Sequence, residues 1–372
     1  MLPISVCMIA KNEEKHIGEC LRRLSSFDWE IIVADTGSTD HTVEIARIYT
    51  PHIYHFHWVN DFSAARNYAV SKASNDYILM IDCDEYLMED ALTAPLIFRL
   101  PQLIAPEQAG LLHLLNPLPG REEEPLPPAS LDVSSSIAIP PEHMPVTHEH
   151  VARFFHRKYT YYQGTIHEQL TSKDGKALQL VPIPLSLYHV GYSSGEIRKK
   201  KASRNIPMLE KELKANGPEP YLLFQLAQSY FGLCDYESAL PYFEQILSMD
   251  IDEQEEYVQT MIESYGYCLL HLKQYQKALE LEGIYPIFSK RADFVFLMGL
   301  VYMNNAMFDR SIAEFLKAAS IPAYAMDGVN SYLAYYNIGV IYECMGDYAK
   351  ASAYYKKCGD YEPALEREKE LP

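Results

Sequence analysis

Three carboxylates lie within four residues at Asp82, Asp84 and Glu85, directly after the apolar run Tyr77–Ile81. Such a run predicts a buried strand, and ligands of open α/β sheets collect beyond the carboxyl ends of their strands. Alternate residues of an extended chain point the same way, so Asp82 and Asp84 can share one site. Their oxygens suit Mg²⁺ or Mn²⁺ carrying phosphates. An isolated D-x-D segment is, however, more often a solvated acidic turn.

Two earlier strands are predicted to bring polar residues to the same edge. The runs ISVCMIA and EIIVA each end in a polar turn that is followed by a helical pattern. This alternation is typical of βαβ units in a mostly parallel sheet. The first turn places Ala10, Asn12 and Glu14 at the edge, and the second places Asp35 there. In isolation Asp35 is an ordinary turn residue, but several independent polar loops on one rim favour a shared binding site.

The ordered set of segments resembles a known family. SVCMIAKNEEKHIGECL, EIIVADTGSTDHT, DFSAARNYAV and YILMIDCDEYL resemble, in order and spacing, the blocks of family 2 glycosyltransferases with the GT-A fold. The resemblance continues through RFF, YQGTIHE and YHVGY and covers roughly residues 3–205. It implies a GT-A domain over residues 1–205, with residues 101–150, rich in proline, as an irregular insertion on the acceptor side.

The resemblance also implies roles at a catalytic centre. Asp84 would bind the metal directly, Asp82 would contact the ribose or reach the metal through water, and His189 would complete the coordination. Glu168, where the family usually carries Asp, would be the general base of a one-step inverting displacement. Two plainer alternatives stay open at this point. His189 could be an ordinary histidine whose hydrogen bonds are satisfied within the protein, and Glu168 could simply pair with a neighbouring Arg or Lys.

The remaining candidate residues would contact a UDP-sugar donor. The carboxylate and amide oxygens of Asp35, Asn12 and Glu14 suit the N–H and O–H donors of uracil and ribose. The basic cluster that contains Lys201 and Arg204 suits a diphosphate, although it is equally well explained as the solvated face of a helix. Arg66 would orient the D-x-D loop or contact the donor. Arg153 is a second-rank candidate for a similar role. The predicted donor-binding set is Ala10, Asn12, Glu14, Asp35, Arg66, Asp82, Lys201 and Arg204.

The C-terminal half, residues 206–372, predicts an all-α repeat array. DYESAL recurs as QYQKAL, MFDRSI and DYAKAS, and the spacings between their aromatic residues are 39, 33 and 40. These values bracket the period of about 34 residues of tetratricopeptide repeats. A small residue stands nine positions before each aromatic, at Ala227, Gly266, Gly299 and Gly339, where it would let paired helices approach closely. The segment DYEPAL near the end predicts a truncated repeat that caps the array.

Composition excludes several classes of function. The 372 residues carry 50 acidic and 32 basic side chains, a net charge of −18, which argues against a general nucleic-acid binder. Seven cysteines without any C-x-x-C pair predict reduced thiols rather than disulfides or a zinc site. No apolar run approaches the length of a membrane span, and no signal peptide is recognisable, so a cytoplasmic bacterial protein is expected.

The combined prediction is a metal-dependent inverting glycosyltransferase that moves a sugar from a UDP-sugar to a peptide or protein Cys, Ser or Thr side chain. The arrangement of domain and repeats resembles the peptide S- or O-glycosyltransferases that modify bacteriocins. Two alternatives remain: a glucosyltransferase of lipopolysaccharide core or cell-wall glycan, and a non-catalytic scaffold whose repeats bind peptides. The repeats could also form a homodimer.

Overall fold

The computed structural model describes residues 3–88, 93–117, 146–166, 168–190 and 195–372, with backbone alone for residues 93–94 and 195–201. Two compact units divide the chain, residues 1–197 and 198–372. The helix Gly195–Asn216 (α6) crosses the division, so the second unit begins a few residues before the predicted position 205. Among the described helices, none is long and apolar enough to cross a membrane.

The first unit is built on an eight-stranded sheet. Its strands, with the small two-stranded sheet of β8 and β9, are β1 Ile4–Ala10, β2 Glu30–Asp35, β3 Ile53–His55, β4 Tyr77–Met80, β5 Glu85–Leu87, β6 Gln108–Pro117, β7 Val146–His156, β8 Thr160–Gln163, β9 Gln169–Ser172 and β10 Gln179–His189. The strand order in the large sheet is β3-β2-β1-β4-β7-β6-β10-β5. β7 and β5 run antiparallel to their neighbours and the other pairs are parallel. The predicted α/β domain with a mostly parallel sheet is confirmed.

Helices cover both faces of this sheet. They are α1 Ile17–Leu24, α2 Thr42–Tyr49, α3 Phe62–Ser71, α4 Thr93–Ile97 and α5 Leu100–Leu103. The apolar face of α1 is buried against one side of the sheet, with Ile17 and Leu24 fully closed from water. α3 packs on the other side through Ala69 and Val70. Asp61 caps the N-terminus of α3, because its Oδ1 accepts the N–H of Ala64 at 2.8 Å.

The prediction of an irregular segment at residues 101–150 is wrong for the part that the structure describes. β6 and the first half of β7 lie there and form a long antiparallel ladder. Burial alternates along most of β6, the pattern of a strand with one face in the core. The prolines that suggested irregular structure lie mainly within residues 118–145, outside the described residues.

The second unit is helical, as predicted. After α6 its helices are α7 Pro220–Gly232, α8 Tyr236–Leu247, α9 Glu256–His271, α10 Tyr275–Ala278, α11 Tyr285–Phe288, α12 Ala292–Asn304, α13 Phe308–Ala318, α14 Tyr332–Cys344, α15 Tyr348–Lys356 and α16 Glu362–Glu370. A 3₁₀ helix, Leu279–Ile284, joins α10 to α11 and makes the second repeat less regular than the others. α16 is the predicted truncated repeat, and it packs on α15.

The small residues of the repeats have the predicted packing role. A Cβ placed on Gly299 would lie 2.6 Å from a ring carbon of Phe315, and one on Gly266 would lie 2.5 Å from Leu297 Cδ2. Both distances are far below ordinary carbon contacts, so glycine allows the facing side chain to lie against the helix backbone.

Candidate active site

The first carboxylate of the motif, Asp82, is held by two arginines. Arg66 of α3 donates from Nη1 and Nη2 to Asp82 Oδ1 and Oδ2, at 2.8 and 3.1 Å. Arg153 of β7 donates from Nη2 to Oδ2 at 2.8 Å. Burial alone raises the pKa of a carboxyl group, but Arg153 and Arg66 outweigh it and hold the pKa of Asp82 far below its usual range. Asp82 is therefore an ionised anchor for the two guanidinium groups.

Glu85 supports the loop that carries the motif. It is 1% exposed, its Oε2 accepts the N–H of Asp82 at 2.9 Å, and its Oε1 accepts from Arg153 Nη2 at 2.7 Å. Burial raises the pKa of Glu85. The sequence left this residue without a role, and the structure places it beneath the loop as a structural partner.

Asp84 lies against His189, 105 residues further along the chain, with 3.2 Å between Oδ2 and Nε2. The antiparallel pairing of β10 with β5 produces this contact, because His189 is the register partner of Glu85, which follows Asp84 directly. The other ring nitrogen, Nδ1, lies 2.8 Å from Asn116 Oδ1 at the end of β6. An amide oxygen accepts hydrogen bonds, so Nδ1 carries a proton and Nε2 faces Asp84.

The Asp84–His189 pair has the donor atoms of a divalent-metal site. Two acceptors at this distance need a shared proton or a cation between them, and a metal-binding histidine characteristically donates its other N–H to an oxygen, as here. Within the described ranges, no three His, Cys, Asp or Glu side chains converge as metal ligands. Of the three predicted metal ligands, Asp84 and His189 lie in contact, whereas Asp82 is bonded to the two arginines instead. A pair still fits Mg²⁺ or Mn²⁺, which keep positions for phosphate and water oxygens.

Glu168 is joined to the same network through Arg66. Arg66 Nε donates to Glu168 Oε1, so one guanidinium connects Glu168 with Asp82. Burial opposes charge on Arg66, but the two carboxylates raise its pKa well above the usual value. The Arg66 guanidinium also lies 5.5 Å from the ring centre of Tyr162. The side chain of Glu168 is 10% exposed, and within the described ranges no residue donates to its Oε2.

The predicted nucleobase-recognition residues hold the loops after β1 and β2 together. Asn12 Oδ1 accepts the N–H of Thr39 at 2.8 Å, and Glu14 Oε2 accepts the N–H of His41 at 3.1 Å. The carboxylate of Asp35 accepts two N–H groups of its own turn, at 3.0 and 3.2 Å. Asn12 adopts φ = 56°, a left-handed conformation that asparagine tolerates better than most residues. These contacts fix a rigid rim, and their role toward a nucleotide stays a prediction.

Three further donor contacts were predicted at Ala10, Lys201 and Arg204. Ala10 packs its side chain in the core, and its carbonyl accepts the N–H of Thr36 at 2.9 Å. Lys201 and Arg204 belong to α6 in the second unit, where the side chain of Lys201 is not described. Arg204 is exposed and donates to Asn205 Oδ1 at 3.0 Å. Their contact with a diphosphate remains a prediction.

Sequence reasoning missed Asn116. The signal was present, since Asn116 follows a run of apolar residues in β6, as Asp35 follows one in β2. The expectation that residues 101–150 were irregular hid it.

The comparisons with known proteins agree with this arrangement. Residues 5–96 match the family described as "Glycosyl transferase family 2", and residues 220–251 and 332–364 match "Tetratricopeptide repeat". The chain therefore carries a family 2 glycosyltransferase domain followed by tetratricopeptide repeats. The first match includes Asp82 and Asp84 but ends before Arg153, Glu168 and His189.

Two curated relatives match parts of this chain. A TPR repeat-containing protein of Synechococcus elongatus is 42% identical over 25% of this chain and 23% of its own length. The SPbeta prophage-derived glycosyltransferase SunS of Bacillus subtilis is 26% identical over 70% of this chain and 57% of its own length. The chain thus spans less than two thirds of the length of these relatives.

Proposed function

We propose that the protein is a metal-dependent inverting glycosyltransferase that transfers a sugar from a UDP-sugar to a Cys, Ser or Thr side chain of a peptide or protein. The observation that carries the proposal is the pairing of Asp84 with His189 at the carboxyl edge of a family 2 glycosyltransferase domain. A second carboxylate, Glu168, is connected to the same loop through Arg66.

Asp84 and His189 would hold Mg²⁺ or Mn²⁺, which when bound neutralises charge on the departing diphosphate. Asn116 would orient the imidazole through Nδ1, which leaves Nε2 to face the metal. Glu85 and the two arginines fix the loop, so Asp84 is presented without a reorganisation of its backbone. Asp35, Asn12 and Glu14 would bind the nucleoside at the neighbouring strand ends.

Glu168 would accept the acceptor's proton. Arg66 fixes Oε1, so Oε2 would take the proton as the acceptor's oxygen or sulfur attacks the anomeric carbon. The new bond forms on the side opposite the departing diphosphate, which inverts the anomeric centre.

The repeats support a peptide or protein acceptor, because stacked helical repeats present extended surfaces to polypeptides. The similarity to the SunS glycosyltransferase over 70% of this chain supports glycosyl transfer itself. Transfer to a lipopolysaccharide or cell-wall glycan instead of a peptide would show that this part of the proposal is wrong.

The test is transfer from a panel of UDP-sugars to Cys-, Ser- and Thr-containing peptides, followed by mass spectrometry, with Mn²⁺, Mg²⁺ or a chelator present. Asp84→Asn should lower the rate by a factor of about 100 or more. Asp174→Asn, at an exposed turn far along the chain from the motif, is the matched control and should leave the rate unchanged. If no UDP-sugar binds or turns over with either metal, the scaffold function is the better conclusion.

Glu168→Gln separates the base from the binding site. Glutamine can still accept the N–H of Arg66 but cannot take a proton, so we expect a loss of about 10²- to 10⁴-fold in transfer with donor affinity retained. Loss of donor binding together with activity would mean that Glu168 only shapes the site. A Cys acceptor reacts as its thiolate and needs the base less, so Ser and Thr peptides give the decisive measurement.

A further inference from the structure

The small sheet that follows the candidate base has one covered edge. Within the part of the chain that the structure describes, this sheet consists of β8 and β9 alone, with Tyr162 opposite Leu170 in an antiparallel register. On the outer side of β8, the side chain of Asn67 in α3 bonds both main-chain groups of Tyr162. Its Nδ2 donates to the carbonyl at 2.8 Å, and its Oδ1 accepts the N–H at 2.9 Å. The edge of β8 is therefore closed to a further strand at this point.

The outer edge of β9 is not closed in this way. Because the N–H and C=O of Tyr162 point away from β9, the opposite residue, Leu170, also directs its N–H and C=O away from the ladder, as alternate pairs of antiparallel strands do. Among the residues that the structure describes, none bonds either main-chain group of Leu170. Leu170 is half-buried, and the preceding Gln169 is exposed. A sheet edge with unpaired N–H and C=O groups is a template for another extended chain.

This edge leads directly to the candidate base. Glu168 is the residue before β9, two positions before Leu170. Leu170 packs against the apolar cluster that contains Tyr162. Arg66, which bonds Glu168, lies 5.5 Å from the centre of the Tyr162 ring. The side chains of Glu168 and Leu170 therefore belong to one face of the small sheet.

A peptide strand on this edge would present its side chains to the same face. Directly opposite residues of paired strands have their Cβ atoms about 5 Å apart and on one side of the sheet. At that separation, the hydroxyl or thiol of a residue opposite Glu168 is within reach of the carboxylate.

We propose that the outer edge of β9 binds the acceptor polypeptide as an extended strand, antiparallel to β9, with the acceptor Ser, Thr or Cys opposite Glu168. The second residue before the acceptor, the −2 residue, donates its N–H to the carbonyl of Leu170 and accepts the N–H of Leu170. This inference rests on the proposed glycosyl transfer and adds the way in which the acceptor is held. A glycan has no evenly spaced N–H and C=O groups, so this edge selects a polypeptide.

Antiparallel pairing uses both main-chain groups of Leu170 at once. In this arrangement one peptide residue exchanges two hydrogen bonds with the residue opposite it, whereas its neighbours direct their N–H groups away. The pairing therefore has a period of two along the peptide. The N–H groups of the acceptor and of the −2 residue face β9, and those of the −1 and −3 residues face away.

The experiment uses the full chain and the peptide acetyl-Ala-Val-Ala-Val-Ser-Ala-amide, in which serine is the acceptor. Three derivatives carry one N-methyl group each, at the −1, −2 or −3 residue, which removes a single N–H and keeps every side chain. Fluorescence polarisation of labelled peptides gives the affinity without a sugar donor, and mass spectrometry gives the transfer from UDP-sugars.

Two variants of the protein test the same contact from the other side. Leu170→Pro removes the N–H of Leu170, which points away from the β8–β9 ladder, and proline is tolerated at such positions of edge strands. Leu170→Ala is the matched control, because it loses the leucine packing but keeps the N–H. Circular dichroism checks that both variants fold.

We expect N-methylation at the −2 residue to weaken binding about tenfold or more and to lower transfer with it, because the carbonyl of Leu170 loses its donor. N-methylation at the −1 or −3 residue should change neither measurement by more than about twofold. Leu170→Pro should weaken binding like the −2 derivative, and Leu170→Ala should bind like the wild type.

Equal effects of the three N-methyl groups, no binding of the unmodified peptide at millimolar concentration, or unchanged binding by a folded Leu170→Pro protein would overturn the proposal. If Leu170→Pro does not fold, the pattern of the three peptide derivatives decides alone. Binding with a period of two but without transfer from any UDP-sugar would support the strand pairing and count against the proposed glycosyl transfer, so the two failures are distinguishable.

Discussion

Replacing Arg66 by methionine tests the central ion network of the first unit. Methionine keeps an unbranched side chain in the buried position and removes the guanidinium. The variant loses two hydrogen bonds to Asp82, at 2.8 and 3.1 Å, and one to Glu168. Two carboxylates then remain with Arg153, which contacts Asp82 but not Glu168.

The expected loss of stability follows from these contacts. Removing one partner of a buried ion pair costs about 3–5 kcal/mol. Asp82 keeps Arg153 and its side chain is 26% exposed, so the lower end of that range applies, about 3 kcal/mol at pH 7. The pKa of Asp82 is depressed in the folded state, so its contribution is fully present above its unfolded pKa of about 3.9 and is lost as the pH falls. The difference between wild type and variant should therefore shrink in acid.

The assay is urea unfolding followed by tryptophan fluorescence. Both tryptophans, Trp29 and Trp58, lie in the first unit, so the signal reports that unit and not the repeats. Arg66→Lys is the control that keeps a charge but loses the planar fork, and it should fall between the other two proteins. A loss below about 1 kcal/mol for Arg66→Met at pH 7, or a difference that does not depend on pH, would contradict the reasoning.

Three further outcomes are expected. Burial and the nearby Asp293 raise the pKa of Glu263, in α9, from 4.5 to about 8, so folding becomes less favourable as the pH rises through that interval. Glu263→Gln should therefore stabilise the second unit by about 3 kcal/mol at pH 7. Circular dichroism at pH 5 and pH 8 should show the gain only at the higher pH. Gly299→Ala should destabilise the repeats by about 1–3 kcal/mol, because the new Cβ overlaps the Phe315 ring. Gly232→Ala is the control: a Cβ there meets nothing within 4 Å, so this variant should be neutral or stabilising. Thermal unfolding of both variants measures the difference. Asn116→Leu should weaken Mn²⁺ binding by about 10- to 100-fold in a metal titration, because His189 loses the acceptor that orients it, and unchanged binding would exclude that role.

The sequence allowed the prediction of those parts of the site that depend on local pattern. β1, β2 and β4 are continuous apolar runs, and the Asp61 cap marks the start of α3, so the strand ends that carry Asp35 and Asp82 could be located. The repeats were predictable for the same reason, since each repeat packs mainly against its neighbours.

Contacts between distant segments could not be derived from local pattern. Arg153 lies in β7 where the register with β6 shifts at Gly110, and such an irregularity leaves no mark in the local pattern. This placement lets Arg153 donate to Asp82, so Asp82 binds guanidinium groups instead of a metal. The contact of Asp84 with His189 arises from the edge pairing of β10 and β5, and family resemblance had indicated the histidine but not its Asn116 partner.

The order of strands has a consequence for the shape of the domain's carboxyl end. β4 and β5 are separated in the sheet by β7, β6 and β10, yet only residues 81–84 connect them in the chain, and the N–H of Glu85 bonds back to the carbonyl of Asp82 at 3.0 Å. Three intervening strands in a flat sheet would place β5 about 19 Å from β4, beyond the reach of a connection that includes a closed turn. The sheet must therefore roll up at this end until its edge returns toward its middle. The short D-x-D connection thus limits the distance between β4 and β5 and so sets the curvature of the sheet. Inserting even one residue there would relax this constraint and displace Asp84.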